Sequence, residues 1–287
     1  MQLPFVRTTA GVAMLVLALQ ATAQNDPAWN EAFPPHRIAD NLYYVGTRGL
    51  ASYLVTTPAG HILINAGLES SVPLIEASVT KLGFRYRDVK ILLISHAHWD
   101  HVAGAARVKQ QTGAKLAVME PDVAVTEDGG KSDFFYGKIA GSLFPPAKVD
   151  TVLHDGDEVK LGGAVLTANL TPGHTKGCTT WTLKVKDKGK TYDAVIVGSP
   201  NVNFGFKLVN NSAYPGIAAD YQRTFQRLKS LHCDIFLGAH GDYYGLEAKF
   251  PRLGAEGPNI FVDPRGYDQY VSVKEAAFLR ELERQRK

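Results

Sequence analysis

From residue 42 onward, short apolar runs alternate with turns rich in Gly and Asp. Runs at Leu42–Val45, Tyr53–Thr56 and His61–Asn65 have the length and content of strands. The period then changes. Leu74, Ile75, Val79 and Leu82 share one face at helical spacing and predict a helix over Val72–Leu82. Val89–Ser95 is mostly apolar, as expected of a central strand covered on both faces. The second half repeats the pattern in kind, with predicted strands at Thr151–Leu153, Glu158–Leu161, Ala164–Leu170, Thr179–Val185 and Tyr192–Val197. A helix at Tyr221–Leu231, a strand at Asp234–Leu237 and an amphipathic helix at Val273–Arg286 complete it. Two αβ halves, sheets inside and helices outside, satisfy this order. The expected fold is α/β, a four-layer αββα sandwich of two mixed sheets with helices on the outer faces. No residue-level internal repeat is visible.

The first 23 residues read differently. Arg7 precedes an apolar run from Gly11 to Leu19, and Ala21-Thr22-Ala23 forms an A-x-A cleavage site. This is the form of a secretory signal peptide. The run is well short of the ~20 residues that span a bilayer. No cysteine follows it to carry a lipid anchor. The expected mature chain is one domain over 24–287, beginning at Gln24 in a bacterial periplasm.

Composition narrows the function. At 45% hydrophobic and 21% charged, the 287 residues can bury a sizeable core, which excludes intrinsic disorder. A net charge of +3 is too small for the concentrated basic face of a nucleic-acid binder. Two cysteines exclude a disulfide scaffold and a four-thiolate zinc module. Heptads are absent, and monomer is the default.

The histidines carry the chemistry. Ser95-His96-Ala97-His98-Trp99-Asp100-His101 directly follows the Val89–Ser95 strand. In extended chain, alternate side chains share a face, so His96, His98 and Asp100 can enter one pocket. His101 joins them only if the chain turns there. Imidazole and carboxylate suit zinc, and three protein ligands leave an open catalytic position. Four candidate ligands so close together imply two ions, each needing further ligands. His174, in Thr171-Pro172-Gly173-His174-Thr175, and His240, in Gly238-Ala239-His240-Gly241, supply them. His36, His61, His154 and His232 lack such surroundings and read as ordinary side chains.

The set His96-x-His98-x-Asp100-His101, His174 and His240 resembles the signature of the metallo-β-lactamase superfamily, across nearly the whole mature chain. The position after the Tyr192–Val197 strand separates its branches. Thioesterases and lactonases generally carry a metal-bridging aspartate there, and one β-lactamase subclass a cysteine. This chain reads Gly198-Ser199-Pro200-Asn201, which is similar to class B, subclass 3 enzymes. So are Asn41-Leu42-Tyr43-Tyr44-Val45, the stretch from Gly173 to Trp181, and Phe236-Leu237-Gly238-Ala239-His240. The resemblance implies two Zn²⁺ ions, one on His96, His98 and His174 and one on Asp100, His101 and His240. It implies hydrolysis of penicillins, cephalosporins and carbapenems by a zinc-bridging hydroxide, with Asp100 also hydrogen-bonding the nucleophile, and so antibiotic resistance. Ser199 either orients a zinc-bound water or also binds the substrate carboxylate, with Asn201 and Asn203 as further substrate-binding candidates. The implied partner is a small β-lactam, without nucleic acid or membrane once the signal is cleaved.

Competing signals are weaker. Ser78-Val79-Thr80-Lys81 matches S-x-x-K of serine β-lactamases, but S-D-N and K-T-G are missing, so it reads as helix surface. The 133–146 loop, with Phe134, Phe135, Tyr136 and Phe144, is either buried packing or an apolar flap over the substrate. Trp99 reads as packing. Cys178 and Cys233 read as buried free thiols, although an oxidising compartment permits a bond between them. The alternative enzyme is a lactonase or other ester or thioester hydrolase of the same fold. The alternative outside catalysis is a zinc-buffering protein.

Overall fold

The computed structural model describes residues 26–287. The signal-peptide assignment over 1–23, and Gln24, lie outside the described residues. Among the described residues, twelve strands form two mixed sheets. In the first, β1 (His36–Ala39), β2 (Leu42–Tyr44), β3 (Tyr53–Thr57) and β4 (Gly60–Ile64) run as an antiparallel meander. It continues in parallel through β5 (Val89–Leu93), β6 (Lys115–Met119) and β7 (Thr151–Leu153). In the second, β8 (Glu158–Leu161), β9 (Ala164–Leu170), β10 (Thr179–Asp187) and β11 (Lys190–Val197) are antiparallel, and β12 (Ile235–Gly238) joins β11 in parallel.

The strand period explains the layering. In β3 and β4, Tyr53, Val55, Ile62 and Ile64 face a core shared with Trp181, Leu183, Ala194 and Ile196 of the second sheet. Leu54 and Leu63 point the other way, into a second core. There α1 (Val72–Lys81) contributes Val72, Ile75 and Val79. Two more helices, α2 (Trp99–Val102) and α3 (Ala105–Thr112), bring Trp99, Val102, Ala105 and Val108. Strands buried on both faces need apolar residues at every position, hence the near-continuous runs in the sequence. Truncating one such Leu or Ile to Ala costs about 2–5 kcal/mol.

After β6 comes α4 (Val123–Asp128), and α5 (Ile217–Ser230) precedes β12. The chain closes through α6 (Leu246–Lys249), α7 (Leu253–Glu256) and α8 (Pro264–Arg286). The α5 and α8 helices cover the second sheet, with Phe278 stacked on Tyr221 and Phe225 at 5.3 and 5.7 Å. The four-layer αββα sandwich expected from the element order is therefore the fold.

Several boundaries differ from the sequence reading. The α8 helix starts at Pro264, nine residues before Val273, because Asp263 caps it by accepting from Gly266 N–H at 2.9 Å, with Pro264 opening the first turn. Ile217, fully buried, starts α5 one turn before Tyr221. Strands β1 and β6 fall where no element was assigned. β1 is only four residues long, and β6 is a five-residue run whose pattern, buried after Lys115, has no alternation to announce it.

Candidate active site

The histidine block sits where β5 ends, held by backbone hydrogen bonds. Asn65, in the left-handed region at φ 64°, accepts from Ser95 N–H at 2.7 Å and donates from Nδ2 to Ser95 Oγ at 3.0 Å. Thr179 N–H donates to Ser95 C=O at 2.7 Å, tying the block to β10. The chain turns into α2 straight after His98, and His101 N–H donates to His98 C=O at 2.9 Å. That turn brings His101 to the face shared by His96, His98 and Asp100.

His174 follows β9. Gly173 has φ +129°, and a Cβ there would lie 2.7 Å from the Tyr221 ring, so only Gly fits. His174 Nδ1 donates to Asn201 C=O at 2.9 Å. A carbonyl can only accept, so the proton sits on Nδ1 and Nε2 keeps its lone pair. His240 follows β12, and its loop is pinned to the first sheet by Ala51 N–H donating to Ala239 C=O at 3.0 Å.

All six residues converge. The ligand atoms of His96, His98 and His174 lie within 4.8 Å of one another, as do those of His96, Asp100 and His101. Asp100 Oδ2, His101 Nε2 and His240 Nε2 form a triangle with sides of 3.1, 3.3 and 3.1 Å. Tetrahedral zinc with bonds of ~2.0–2.1 Å has ligand–ligand edges of about 3.3 Å, so the triangle has the size of one coordination face. Both ring nitrogens of His96, Nε2 of His98 and Nδ1 of His101 are buried without a hydrogen-bond partner among the described residues. Orphaned buried nitrogens are costly unless something binds them, and a metal cation can bind one nitrogen of each ring. The residues present therefore fit a metal site.

The electrostatics agree for His96, His174 and Asp100, whereas His98, which burial would lower, is raised by the Asp133 carboxylate 3.6 Å from its Nε2. Burial and the neighbouring rings of His101, His174 and His98 push His96 well below the ordinary imidazole range, toward the neutral form that ligates. Burial, reinforced by His98, lowers His174 to about 3. Burial alone would raise Asp100. Attraction to His101 and hydrogen bonds with His101 and His240 instead hold its carboxyl well below the usual range, as an anion.

The ligands open into a cleft of about 1050 Å³. Its apolar wall includes Trp29, Phe135, Tyr136 and Ile139, and its polar groups include Asn201, Asn203 and Tyr243. Asn203 donates to the Tyr136 hydroxyl at 2.9 Å. Ser199 lies behind this surface, 2% exposed, with Oγ 3.2 Å from the Tyr243 hydroxyl.

The sequence model of the metallo-β-lactamase superfamily matches residues 45–240. The chain belongs to that superfamily. Among solved structures it is similar to the native FEZ-1 metallo-β-lactamase from Legionella gormanii, at 56% identity and TM-score 0.89, over 90% of this chain and 98% of that one. It is similar to BJP-1, a subclass B3 metallo-β-lactamase of Bradyrhizobium japonicum, at 37% identity and TM-score 0.84, over 90% and 97% of the two chains. LRA-12, a class B3 di-zinc metallo-β-lactamase from an Alaskan soil metagenome, matches at 38% identity and TM-score 0.85, over 89% and 97%. A hydroxyacylglutathione hydrolase of Rhodopseudomonas palustris is 27% identical over 74% of this chain and 70% of its own length. A probable metallo-hydrolase of Burkholderia pseudomallei is 34% identical over 37% of this chain, which spans about a third (34%) of that protein's length.

The subclass B3 resemblance read from Ser199 and the histidine block thus agrees with the solved structures, and the histidine-rich site is that of a metal-dependent superfamily. The two readings of the 133–146 loop divide by residue. Phe144 is buried and Phe134 packs on Phe206 and Tyr214 at 5.0 and 5.1 Å, whereas Phe135 and Tyr136 line the cleft of this superfamily member. Trp99 packs on Tyr136 at 5.1 Å and also reaches the cleft. Cys178 and Cys233 are free and buried.

Sequence reasoning missed three contributors. Trp29 of the N-terminal arm packs its ring at a tilt, 5.8 Å from that of His240. Tyr243 has no motif around it. Asp122 is a buried carboxylate that accepts from Ala97 N–H at 2.9 Å, Thr175 Oγ1 at 2.7 Å and Gly177 N–H at 2.7 Å. It thereby clamps the His96–His98 loop to the His174 loop. A carboxylate beside Pro121 was visible in the sequence, but its reach to Thr175, 53 residues on, was not.

Proposed function

We propose that the chain is a metal-dependent β-lactamase that opens the four-membered lactam amide of penicillins, cephalosporins and carbapenems. The observation that carries the reading is the meeting of six potential ligand side chains, four of them lining one largely apolar cleft, in a chain 56% identical to a metallo-β-lactamase over nearly all of that enzyme. In this reading His96, His98 and His174 hold one Zn²⁺, and Asp100, His101 and His240 a second. Zinc held there supplies Lewis acidity, lowering the pKa of water and polarising a carbonyl oxygen. The protein does the rest. His174 is held in the ligating tautomer by Asn201 C=O. Asp100 stays anionic and accepts a hydrogen bond from the attacking water. Trp29, Phe135 and Tyr136 enclose the bicyclic substrate and exclude bulk water. The polar group of Ser199, Asn201 and Asn203 faces the substrate carboxylate, Ser199 by way of Tyr243. The N-terminal segment directs secretion to the periplasm, where resistance to these drugs is exerted.

The relatives named as hydroxyacylglutathione hydrolases favour a second reading, thioester hydrolysis. Against it, Gly198-Ser199-Pro200-Asn201 offers no carboxylate to bridge two metals. A panel of a carbapenem, a cephalosporin, an acyl-glutathione thioester and a lactone, run on zinc-loaded protein, separates the readings. The proposal expects kcat/KM for the β-lactams at least a hundredfold above the thioester. The reverse order would replace it.

A further inference from the structure

We infer that the Tyr243 hydroxyl is a substrate-binding donor, turned into the cleft by the two groups behind it and aimed at an anionic oxygen of the substrate. The inference rests on the β-lactamase reading and assigns its carboxylate contact to this residue.

The argument is one of hydrogen-bond accounting. Asn201 Nδ2 donates to the Tyr243 oxygen at 2.8 Å. Ser199 Oγ lies 3.2 Å from the same oxygen and accepts from Asn201 N–H at 3.5 Å. Either hydroxyl can donate across this contact; Ser199 Oγ already accepts from Asn201 N–H, and its proton has no other acceptor among the described residues, which favours Ser199 as the donor. A phenol oxygen has two acceptor sites and one proton. With both sites taken, the proton must point away from Ser199 and Asn201. Two directions then remain, the cleft that Tyr243 lines and the buried Tyr270 hydroxyl, which has no hydrogen-bond partner among the described residues, and the proton is assigned to the cleft.

The ring is held for this. Its ring centre lies 5.2 Å from that of His240 and 5.1 Å from that of Tyr270, tilted against both. Gly238 leaves it room: a Cβ there would come within 2.6 Å of Tyr243 Cδ2. Lys274 Nζ sits 5.9 Å from the ring centre, placing positive charge near the same wall. A fixed neutral donor with its proton committed outward suits a carboxylate, whose oxygens only accept. It also explains why Ser199 matters without lining the cleft: it orients Tyr243.

Tyr243→Phe removes the donor and keeps the ring on His240. With zinc-loaded protein and a cephalosporin bearing its free carboxylate, we expect KM to rise about tenfold with kcat within about threefold of the parent. With the methyl ester of the same cephalosporin, parent and variant should have matching KM. Ser199→Ala should raise KM for the acid much less than Tyr243→Phe. If Tyr243→Phe melts well below the parent, Tyr243→Met takes its place, filling the space with a flexible apolar chain that has no hydroxyl. Unchanged KM for the acid, or equal losses on acid and ester, overturns the assignment. A larger effect from Ser199→Ala overturns it in favour of direct contact by Ser199. Failure of the parent itself to hydrolyse the cephalosporin would remove the β-lactamase reading instead, and that rate is measured first.

Discussion

His174 Nδ1 donates to the carbonyl oxygen of Asn201 at 2.9 Å, so the segment that fixes the tautomer of a ring in the proposed metal site also carries a polar side chain into the cleft. Tyr221 donates to the same oxygen at 2.6 Å, fixing the carbonyl from α5. Ligand orientation and substrate wall are therefore one piece of structure, and disturbance of either reaches the other.

Asp122 is the clearest case. Burial raises its carboxyl, while hydrogen bonds from Thr175, Ala97 and Gly177 work in the opposite direction. Asp122→Asn presents an NH₂ to a set of donors, so at least one is left without an acceptor. We expect kcat/KM and metal affinity to fall ten- to a hundredfold, as for partners that orient metal ligands, with the melting point lowered by several degrees. Metal per chain after dialysis and steady-state kinetics check both. Parent-like metal content and rate would mean the two loops hold their places without the clamp.

Ser78 lies on α1 but, unlike the helix surface expected for it, is buried at 7% exposure against the core, and its carbonyl accepts from the Leu82 N–H at the helix end. It does not line the cleft. Ser78→Ala and Lys81→Ala should leave kcat/KM within twofold of the parent. A tenfold loss with an intact fold would revive a serine route.

His36 predicts an acid sensitivity that has nothing to do with catalysis. It is stacked between Tyr44 and Phe261 at 5.2 and 5.5 Å, with Nε2 buried and without a hydrogen-bond partner among the described residues. Burial lowers its pKa to about 4, against the carbonyl of Pro34, which raises it. Below pH 6.5 the unfolded chain takes up a proton that the folded chain refuses until about pH 4. Stability is therefore lost as pH falls through that window, by up to about 3 kcal/mol, and no further below it. His36→Phe should flatten this part of the curve. Urea unfolding of parent and variant from pH 7 to pH 4 measures it, since the metal ligands titrate alike in both.

Chelation should weaken the fold as well as stop turnover. A metal bound only to the native chain at a hundredfold excess over its dissociation constant contributes about 3 kcal/mol. The melting point should drop by several degrees on adding a chelator and recover with zinc. An unchanged melting point would mean that the clustered nitrogens do not bind metal tightly.

Much of this was legible in the chain. Runs such as Ile62–Ile64 and Val195–Val197 announce strands because both faces are buried, and His96 to His101 announces a site because four potential ligands do not crowd together idly. Local signals failed where the cause was distant. Trp29 reaches His240 because Gly49 lets the arm close in, with Gly49 N–H donating to Ala28 C=O at 2.9 Å. Tyr243 gains its role from Ser199, 44 residues away. The early start of α8 was written in Asp263-Pro264, but those residues lie outside the Val273–Arg286 stretch whose amphipathic pattern marks the helix.

Carbapenem ring opening, followed by ultraviolet absorbance with purified zinc-loaded protein, tests the central claim most directly. The expected result is rapid loss of the ring signal, abolished by a zinc chelator and restored when zinc is added back. Turnover that survives chelation, or no turnover by protein shown to hold zinc, would contradict it.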